Sequence, residues 1–335
     1  MSHAPSTGVR IAGVGSALPE RILSNADLEK MMDTSDEWIV QRTGIHERRI
    51  HDPELGPNTT DLATDALAKA LNHAGMTGAE LDLIVCATMT PDMPTPSVSC
   101  LVADRVGAGQ IAAFDLNAAC SGFVYAMNCA HDMIRSGAHK NVAVIGSDLI
   151  TRFVDYSTFG RAAAILFGDA AGACVLKGCD DSSKGLLAQS MHTDASRAKH
   201  LFIPCHKRDF FEVEYDERRV NSVQMNGQAV FRFAVSTFPK LIEQTLDKAG
   251  VQADEVSHYI CHQSNARILT AARDRFGLPE DRFYINIGHR GNTVSASIPL
   301  ILDELTQAGR VEEGQKVMFL AFGAGLTWAS SLWQL

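Results

Sequence analysis

Ala66-Leu67-Ala68-Lys69-Ala70-Leu71-Asn72-His73-Ala74-Gly75-Met76-Thr77-Gly78-Ala79-Glu80-Leu81-Asp82-Leu83-Ile84-Val85-Cys86 decides the fold, because the chain carries this pattern twice. Leu241-Ile242-Glu243-Gln244-Thr245-Leu246-Asp247-Lys248-Ala249-Gly250-Val251-Gln252-Ala253-Asp254-Glu255-Val256-Ser257-His258-Tyr259-Ile260-Cys261 lines up with it without a gap, 175 residues further on (241 against 66). Each copy spells a helix that stops at Ala-Gly, an acidic turn, and a β-branched strand that ends in Cys. Gly75 and Gly250 suit the left-handed position just past a helix, where a Cβ would be strained. An internal repeat of this kind fixes architecture before any single motif does.

The parallel extends outward. Leu101–Gly107 echoes Ala271–Gly277 as a second helix with a glycine stop. A strand and a helix start at Ala113–Cys120 are matched with Tyr284–Asn292, and Asn292 falls near the place of Cys120. Asn141–Ser147 and Lys316–Phe322 are apolar runs of the kind found in fully buried strands. Each half closes with a glycine-rich turn into a further strand, Gly168–Leu176 and Gly323–Trp333. Strands alternating with helices imply parallel pairing through right-handed crossovers. The expected architecture is therefore α/β, with two duplicated halves, 1–178 and 179–335, related by a pseudo-twofold. A segment at about 185–225 fits neither copy and reads as a lid or a surface loop, with Phe202, Phe210, Phe211 and Tyr215 interspersed. In open α/β sheets chemistry collects beyond the carboxyl ends of strands, so reactive residues are sought there in both halves.

Composition bounds the function. The 335 residues are 46% hydrophobic and 21% charged, an ordinary globular balance. Net charge is −9 and no Lys/Arg block reaches five residues, which argues against a nucleic-acid partner. No apolar run approaches the ~20 residues of a membrane span. Met1–Gly8 lacks the basic-then-apolar pattern of a secretory signal, so a cytoplasmic protein is expected. The eight cysteines, at 86, 100, 120, 129, 174, 179, 205 and 261, include no C-x-x-C pair. Neither a metal site nor a disulfide framework is expected. Any one of them reads as a small buried hydrophobe.

Three sites follow strands. In Asp115-Leu116-Asn117-Ala118-Ala119-Cys120-Ser121-Gly122-Phe123, Cys120 opens a helix. The partial positive charge and unpaired N–H groups at a helix start favour a thiolate. The second is Ile260-Cys261-His262-Gln263-Ser264-Asn265, where His262 leaves the matching strand of the other half. The third is Gly291-Asn292-Thr293-Val294-Ser295-Ala296-Ser297. Singly, each has a bland reading: a structural Cys, a satisfied His, an N-cap Asn. Together, a thiol, an imidazole and a carboxamide form a set for acyl transfer on sulfur. The turn Phe322-Gly323-Ala324-Gly325 can lend a backbone N–H to an oxyanion.

With Asp36–Ile45, Ala119–Phe123, Phe167–Ala173, His262–Asn265, Gly291–Thr293 and Ala321–Gly325 in this order, the chain resembles the β-ketoacyl-acyl-carrier-protein synthase III family, the initiating condensing enzymes of type II fatty acid synthesis. The resemblance runs from about Val9 to the C-terminus. It implies a thiolase-like α/β/α/β/α fold and a decarboxylating Claisen condensation of an acyl-CoA primer with malonyl-acyl carrier protein. Cys120 resembles the family's nucleophile, and His262 and Asn292 the pair that hydrogen-bonds the malonyl thioester oxygen. The N–H groups of Cys120 and Ala324 would hold the other oxyanion. Trp38, Arg42, Arg161 and Asn265 resemble the CoA contacts. Arg232, Arg267, Arg273 and Arg275 resemble a carrier-protein patch, which Asp274 interrupts. Thr95 and Phe322 fall at the acyl pocket. Thr95 stands where acetyl-preferring members often carry Phe, contributed across a dimer interface, so a primer longer than acetyl is expected. The resemblance further implies a homodimer and no resident cofactor, acyl-CoA being a substrate. The alternatives are a secondary-metabolite condensing enzyme or acyltransferase with the same triad and another acceptor, and, more distantly, a thiol hydrolase.

Overall fold

Gly75 and Gly250 end the two repeated helices in the left-handed region, at φ 63° and 67°. Residues 7–209, 211 and 217–335 are described by the computed structural model; Met1–Ser6, Phe210 and Tyr215 lie outside them. One sheet holds β1 (Gly8–Ala17), β2 (Leu83–Ala87), β3 (Ala112–Leu116), β4 (Asn141–Asp148) and β5 (Ala170–Cys179), in the order β1-β5-β4-β2-β3. A second holds β6 (Gly185–Thr193), β7 (His258–Cys261), β8 (Lys316–Gly323) and β9 (Thr327–Gln334), in the order β7-β8-β9-β6. The orders superimpose, with β6, β9, β8 and β7 answering to β1, β5, β4 and β2.

Pairing is parallel toward one edge of each sheet, β4 to β2 to β3 and β8 to β7. The expectation of parallel pairing does not extend to β1, β5, β6 and β9, whose pairings are antiparallel. Only Ala324–Leu326 separates β8 from β9, and so short a link permits nothing but a hairpin. A second correction concerns 185–225. Gly185–Thr193 is no insertion but the counterpart of β1. It is an edge strand with Leu187 and Met191 exposed, so its pattern lacks the apolar run that marks a buried strand. A third concerns Tyr284–Asn292, where the strand expected opposite β3 shrinks to one bridge between Tyr259 and Phe283.

The main helices are α1 (Asp36–Thr43), α2 (Thr59–Ala74), α3 (Val98–Arg105), α4 (Gly122–Arg135), α5 (Gly227–Ala249), α6 (Ala266–Arg275) and α7 (Ser297–Gln307). Successive strand residues point to opposite faces, and the cores divide accordingly. Ile84, Ile145 and Val175 face outward onto Leu62 and Leu67 of α2 and Val102 of α3. Val85 and Val144 face inward, onto Phe123 and Met127 of α4 and Ile301 of α7. Ile260 and Phe319 of the second sheet enter that same inner core. On the far side Tyr259, Met318 and Leu320 pack with Phe238 and Ile242 of α5 and Leu269 of α6. The result is five layers, α/β/α/β/α, with α4 and α7 as the shared middle. Among the described residues no helix is long and apolar enough to cross a membrane, and no group of three or more His, Cys, Asp or Glu could hold a metal ion.

Candidate active site

Both middle helices are entered through a strained turn. Ala119, at φ 48°, opens the 3-10 turn Ala119–Ser121 ahead of α4; Val294, at φ 52°, opens Val294–Ala296 ahead of α7. The 175-residue offset therefore sets Ala119 against Val294, Cys120 against Ser295, and Asn117 against Asn292. Asn292 is thus not the counterpart of Cys120. Asn117 Oδ1 accepts from the Ala119 N–H at 3.2 Å, and Asn292 Oδ1 accepts from the Val294 N–H at 3.0 Å. Asn292 is not the N-cap expected of it: Thr293 and Ala296 stand at the starts of the turn and of α7, and the Asn292 oxygen closes an Asx turn one residue ahead of them. With Oδ1 committed, the amino end of the side chain is the end left to donate. Asn117 is exposed, whereas Asn292 is buried against the cleft.

A cavity of about 700 Å³ is lined by Cys120, His262 and Asn292 together with Phe322 and Gly323. Cys120 is buried, and the backbone N–H groups of Cys120 and Ala324 lie close enough to its sulfur to favour a thiolate. These are the donors expected of an oxyanion hole. Burial, helped by the charge of Asp148, nonetheless outweighs them and pushes the thiol up to about 12. The resting group is therefore a thiol, where the helix start alone would favour thiolate. Gly323 lets β8 approach: a Cβ there would lie 2.7 Å from the Cys120 nitrogen.

His262 is equally enclosed. Its Nδ1 lies 2.8 Å from Ser297 Oγ, and its ring meets Phe322 edge-to-face at 5.8 Å. Burial lowers its pKa to about 3, against a weaker opposing pull from the Val294 carbonyl. The imidazole is neutral at ordinary pH and can donate one hydrogen bond while carrying no charge. Around Cys120 pack the apolar side chains of Ile150, Phe167, Val223 and Leu201.

Trp38 and Arg42 line the cleft, with the Arg42 guanidinium 4.2 Å and that of Arg161 4.6 Å from the Trp38 ring centre. Asn265 lines it too, but both ends of its amide are committed. Oδ1 caps α6 through the Arg267 N–H at 2.9 Å, and Nδ2 donates to the Arg42 carbonyl at 2.9 Å. Asn265 braces Arg42. Arg232 and Arg267 are exposed on the lining, but Arg273 and Arg275 do not join them. Arg273 pairs with Asp274 and Glu280 at 3.2 and 2.6 Å, and Arg275 with Glu243 at 3.2 Å. Thr95 is exposed on the loop before α3 and takes no part in the lining.

Leu201, Met225 and Asp148 escaped the sequence reading. Leu201 and Met225, from the non-repeated stretch after β6, line the cleft. Asp148, wholly buried at the end of β4, accepts from Thr90 Oγ1 and the Met89 N–H in one half and from the Ser295 N–H in the other. Its position directly after the apolar run Asn141–Ser147 is the signal that would have found it.

Residues 114–195 match the family 3-oxoacyl-[acyl-carrier-protein (ACP)] synthase III, and residues 246–335 match its C-terminal part. The chain is 43% identical to the beta-ketoacyl-[acyl-carrier-protein] synthase III of Caldanaerobacter subterraneus subsp. tengcongensis, over 96% of both chains. The crystal structure of 3-oxoacyl-[acyl-carrier-protein] synthase III from Aquifex aeolicus superimposes with a TM-score of 0.89 at 40% identity, covering 98% of this chain and 100% of that one. A priming beta-ketosynthase of a polyketide biosynthetic pathway also gives 0.89, at 34% identity, covering 99% and 98%. With the duplicated five-layer fold and the enclosed Cys, His and Asn, these similarities show that the chain belongs to the β-ketoacyl-acyl-carrier-protein synthase III family.

Proposed function

We propose that this protein condenses an acyl-CoA primer with malonyl-acyl carrier protein through an acyl-Cys120 intermediate, releasing CO2 and a β-ketoacyl-acyl carrier protein. The observation that carries the reading is one buried cleft holding a thiol under two N–H donors beside a neutral imidazole and a carboxamide. In the first half-reaction Cys120 sulfur attacks the primer thioester. The tetrahedral oxyanion is held by the Cys120 and Ala324 N–H groups. The carbon–sulfur bond to CoA breaks, and the thiol proton ends on the departing CoA.

In the second, the malonyl thioester oxygen is held by His262 and Asn292. Loss of CO2 leaves its electron pair as an enolate, whose charge gathers on that oxygen. Neutral donors suit it: they stabilise charge that appears only in the transition state. The enolate carbon attacks acyl-Cys120, and the Cys120 thiolate leaves and regains a proton. The chemistry needs no resident cofactor, since CoA enters and departs with the substrate.

Trp38, Arg42 and Arg161 offer stacking and charge for the CoA nucleotide, with Asn265 holding the backbone at Arg42. Arg232 and Arg267 offer positive charge at the mouth for an acidic carrier protein. Arg273 and Arg275 are spent on carboxylates and add little to that patch. A reducing, cytoplasmic setting agrees with cysteines that are all free, exposed Cys100 and Cys205 included. We also infer a homodimer that brings the partner copy of the Thr95 loop to the cleft, and a primer longer than acetyl.

Similarity to a polyketide-priming ketosynthase favours one second reading, the same half-reactions serving a secondary-metabolite acceptor. Intact-protein mass spectrometry tests both. The protein is incubated with acetyl-, butyryl-, octanoyl- or dodecanoyl-CoA, then with malonyl-acyl carrier protein. An adduct on Cys120 that disappears with CO2 release supports condensation; one that persists points to another acceptor. Cys120→Ala is expected to abolish the adduct, whereas Asn292→Ala or His262→Ala lowers decarboxylation by roughly 100-fold and spares acylation. Equal loss of both half-reactions would contradict the division of roles.

A further inference from the structure

His262 and Ser297 occupy, 175 residues on, the places of Ala87 and Gly122 in the first half. The two positions face each other in both halves. A Cβ on Gly122 would meet the Ala87 Cβ at 3.1 Å, and Ser297 Oγ meets His262 Nδ1 at 2.8 Å. The duplication thus holds an inert Ala/Gly pair beside the thiol and a polar His/Ser pair beside the carboxamide. Both polar residues are buried, Ser297 at 2% and His262 at 1% exposure.

The proposed decarboxylation requires His262 to donate from Nε2. A neutral imidazole has a single N–H, so Nδ1 must then accept. The neighbour at Nδ1 is the Ser297 hydroxyl, at 2.8 Å, and the Val294 carbonyl lies against the same ring. A carbonyl cannot donate. The Gln263 N–H approaches Ser297 Oγ at 3.4 Å and engages a lone pair. The hydroxyl proton is free to choose between Nδ1 at 2.8 Å and Val294 O at 3.1 Å.

We propose that Ser297 is a positioning residue whose hydroxyl donates to His262 Nδ1 and so fixes the imidazole as the Nε2–H tautomer. The inference rests on the reading of the site given above. Without the hydroxyl, no donor holds Nδ1 as an acceptor, and the single ring proton moves to Nδ1. Nε2 then turns a lone pair toward the developing enolate, which repels it.

The tautomer is read on the free protein by nitrogen-15 NMR of labelled histidine, where protonated and unprotonated ring nitrogens resonate far apart. Wild type is expected as Nε2–H and Ser297→Ala as Nδ1–H. Decarboxylation of malonyl-acyl carrier protein by Ser297→Ala is expected to fall about 100-fold while acylation by acyl-CoA holds, the loss that follows removal of one oxyanion donor. Ser297→Thr, which keeps the hydroxyl, is expected to restore both tautomer and rate. An Nδ1–H wild type, an Nε2–H Ser297→Ala, equal loss of both half-reactions, or a Thr variant no better than Ala would each overturn the proposal. Failure of the functional reading shows elsewhere, as a wild-type protein that never turns over malonyl-acyl carrier protein.

Discussion

His262 carries a pKa of about 3 because burial penalises its charged form. The folded value lies below the ordinary 6.5, so between the two the unfolded chain binds more protons than the native one. The stability this contributes is present above pH 6.5 and is lost as pH falls toward 3. Catalysis follows a different course. The neutral donor persists through the whole window, so decarboxylation is expected to show no inflection near 6.5. Rates measured on malonyl-acyl carrier protein from about pH 8 to pH 5 check this, since an ordinary imidazole would titrate there. An inflection at 6.5 would mean that His262 is solvated during turnover.

At the scale of elements, the contact between β8 and the turn before α4 builds the thiol's oxyanion site, and Gly323 is its narrowest point. Its φ of −157° is open to any residue, so the constraint is contact alone. A Cβ would lie 2.7 Å from Cys120 N and 3.2 Å from Cys120 Cα, both backbone atoms that cannot swing aside. Gly323→Ala is expected to cost about 1–3 kcal/mol, the usual penalty of overpacking, and to displace the Ala324 N–H. A lower melting temperature together with slower Cys120 acylation would bear this out; full acylation at an unchanged melting temperature would refute it. The same element shows what the sequence could reveal. β8 was legible because buried strands are apolar throughout, and the repeated helices because glycine marks their ends. β6 was not, since a half-exposed edge strand loses that pattern. The ion pairs of Arg273 and Arg275 were hidden for another reason: Glu280 and Glu243 lie 7 and 32 residues away in sequence.

Across the whole molecule the two sheets differ at one edge. In the second, β7 ends the sheet with the Phe283 bridge beside it. In the first, β3 adds a full strand whose outer edge pairs with nothing among the described residues. Phe114 on that strand is 38% exposed and Met93, on the loop carrying Thr95, 43%. Asp115 of β3 accepts from the Val98 and Ser99 N–H groups, tying the Thr95 loop beside the open edge. Unpaired apolar edges are sites of association, and a twofold axis through β3 would continue the sheet into a second copy. Wild type is therefore expected to run as a dimer in size-exclusion chromatography with light scattering. Phe114→Lys, which buries a charge in each half of the contact and forfeits about 1.5–3 kcal/mol per aromatic ring, is expected to yield monomers. Because the proposed pocket floor comes from the partner copy, those monomers should still acylate Cys120 but lose discrimination among primer lengths. A wild-type monomer, or a Phe114→Lys monomer with an unchanged chain-length profile, would detach the Thr95 loop from the acyl pocket.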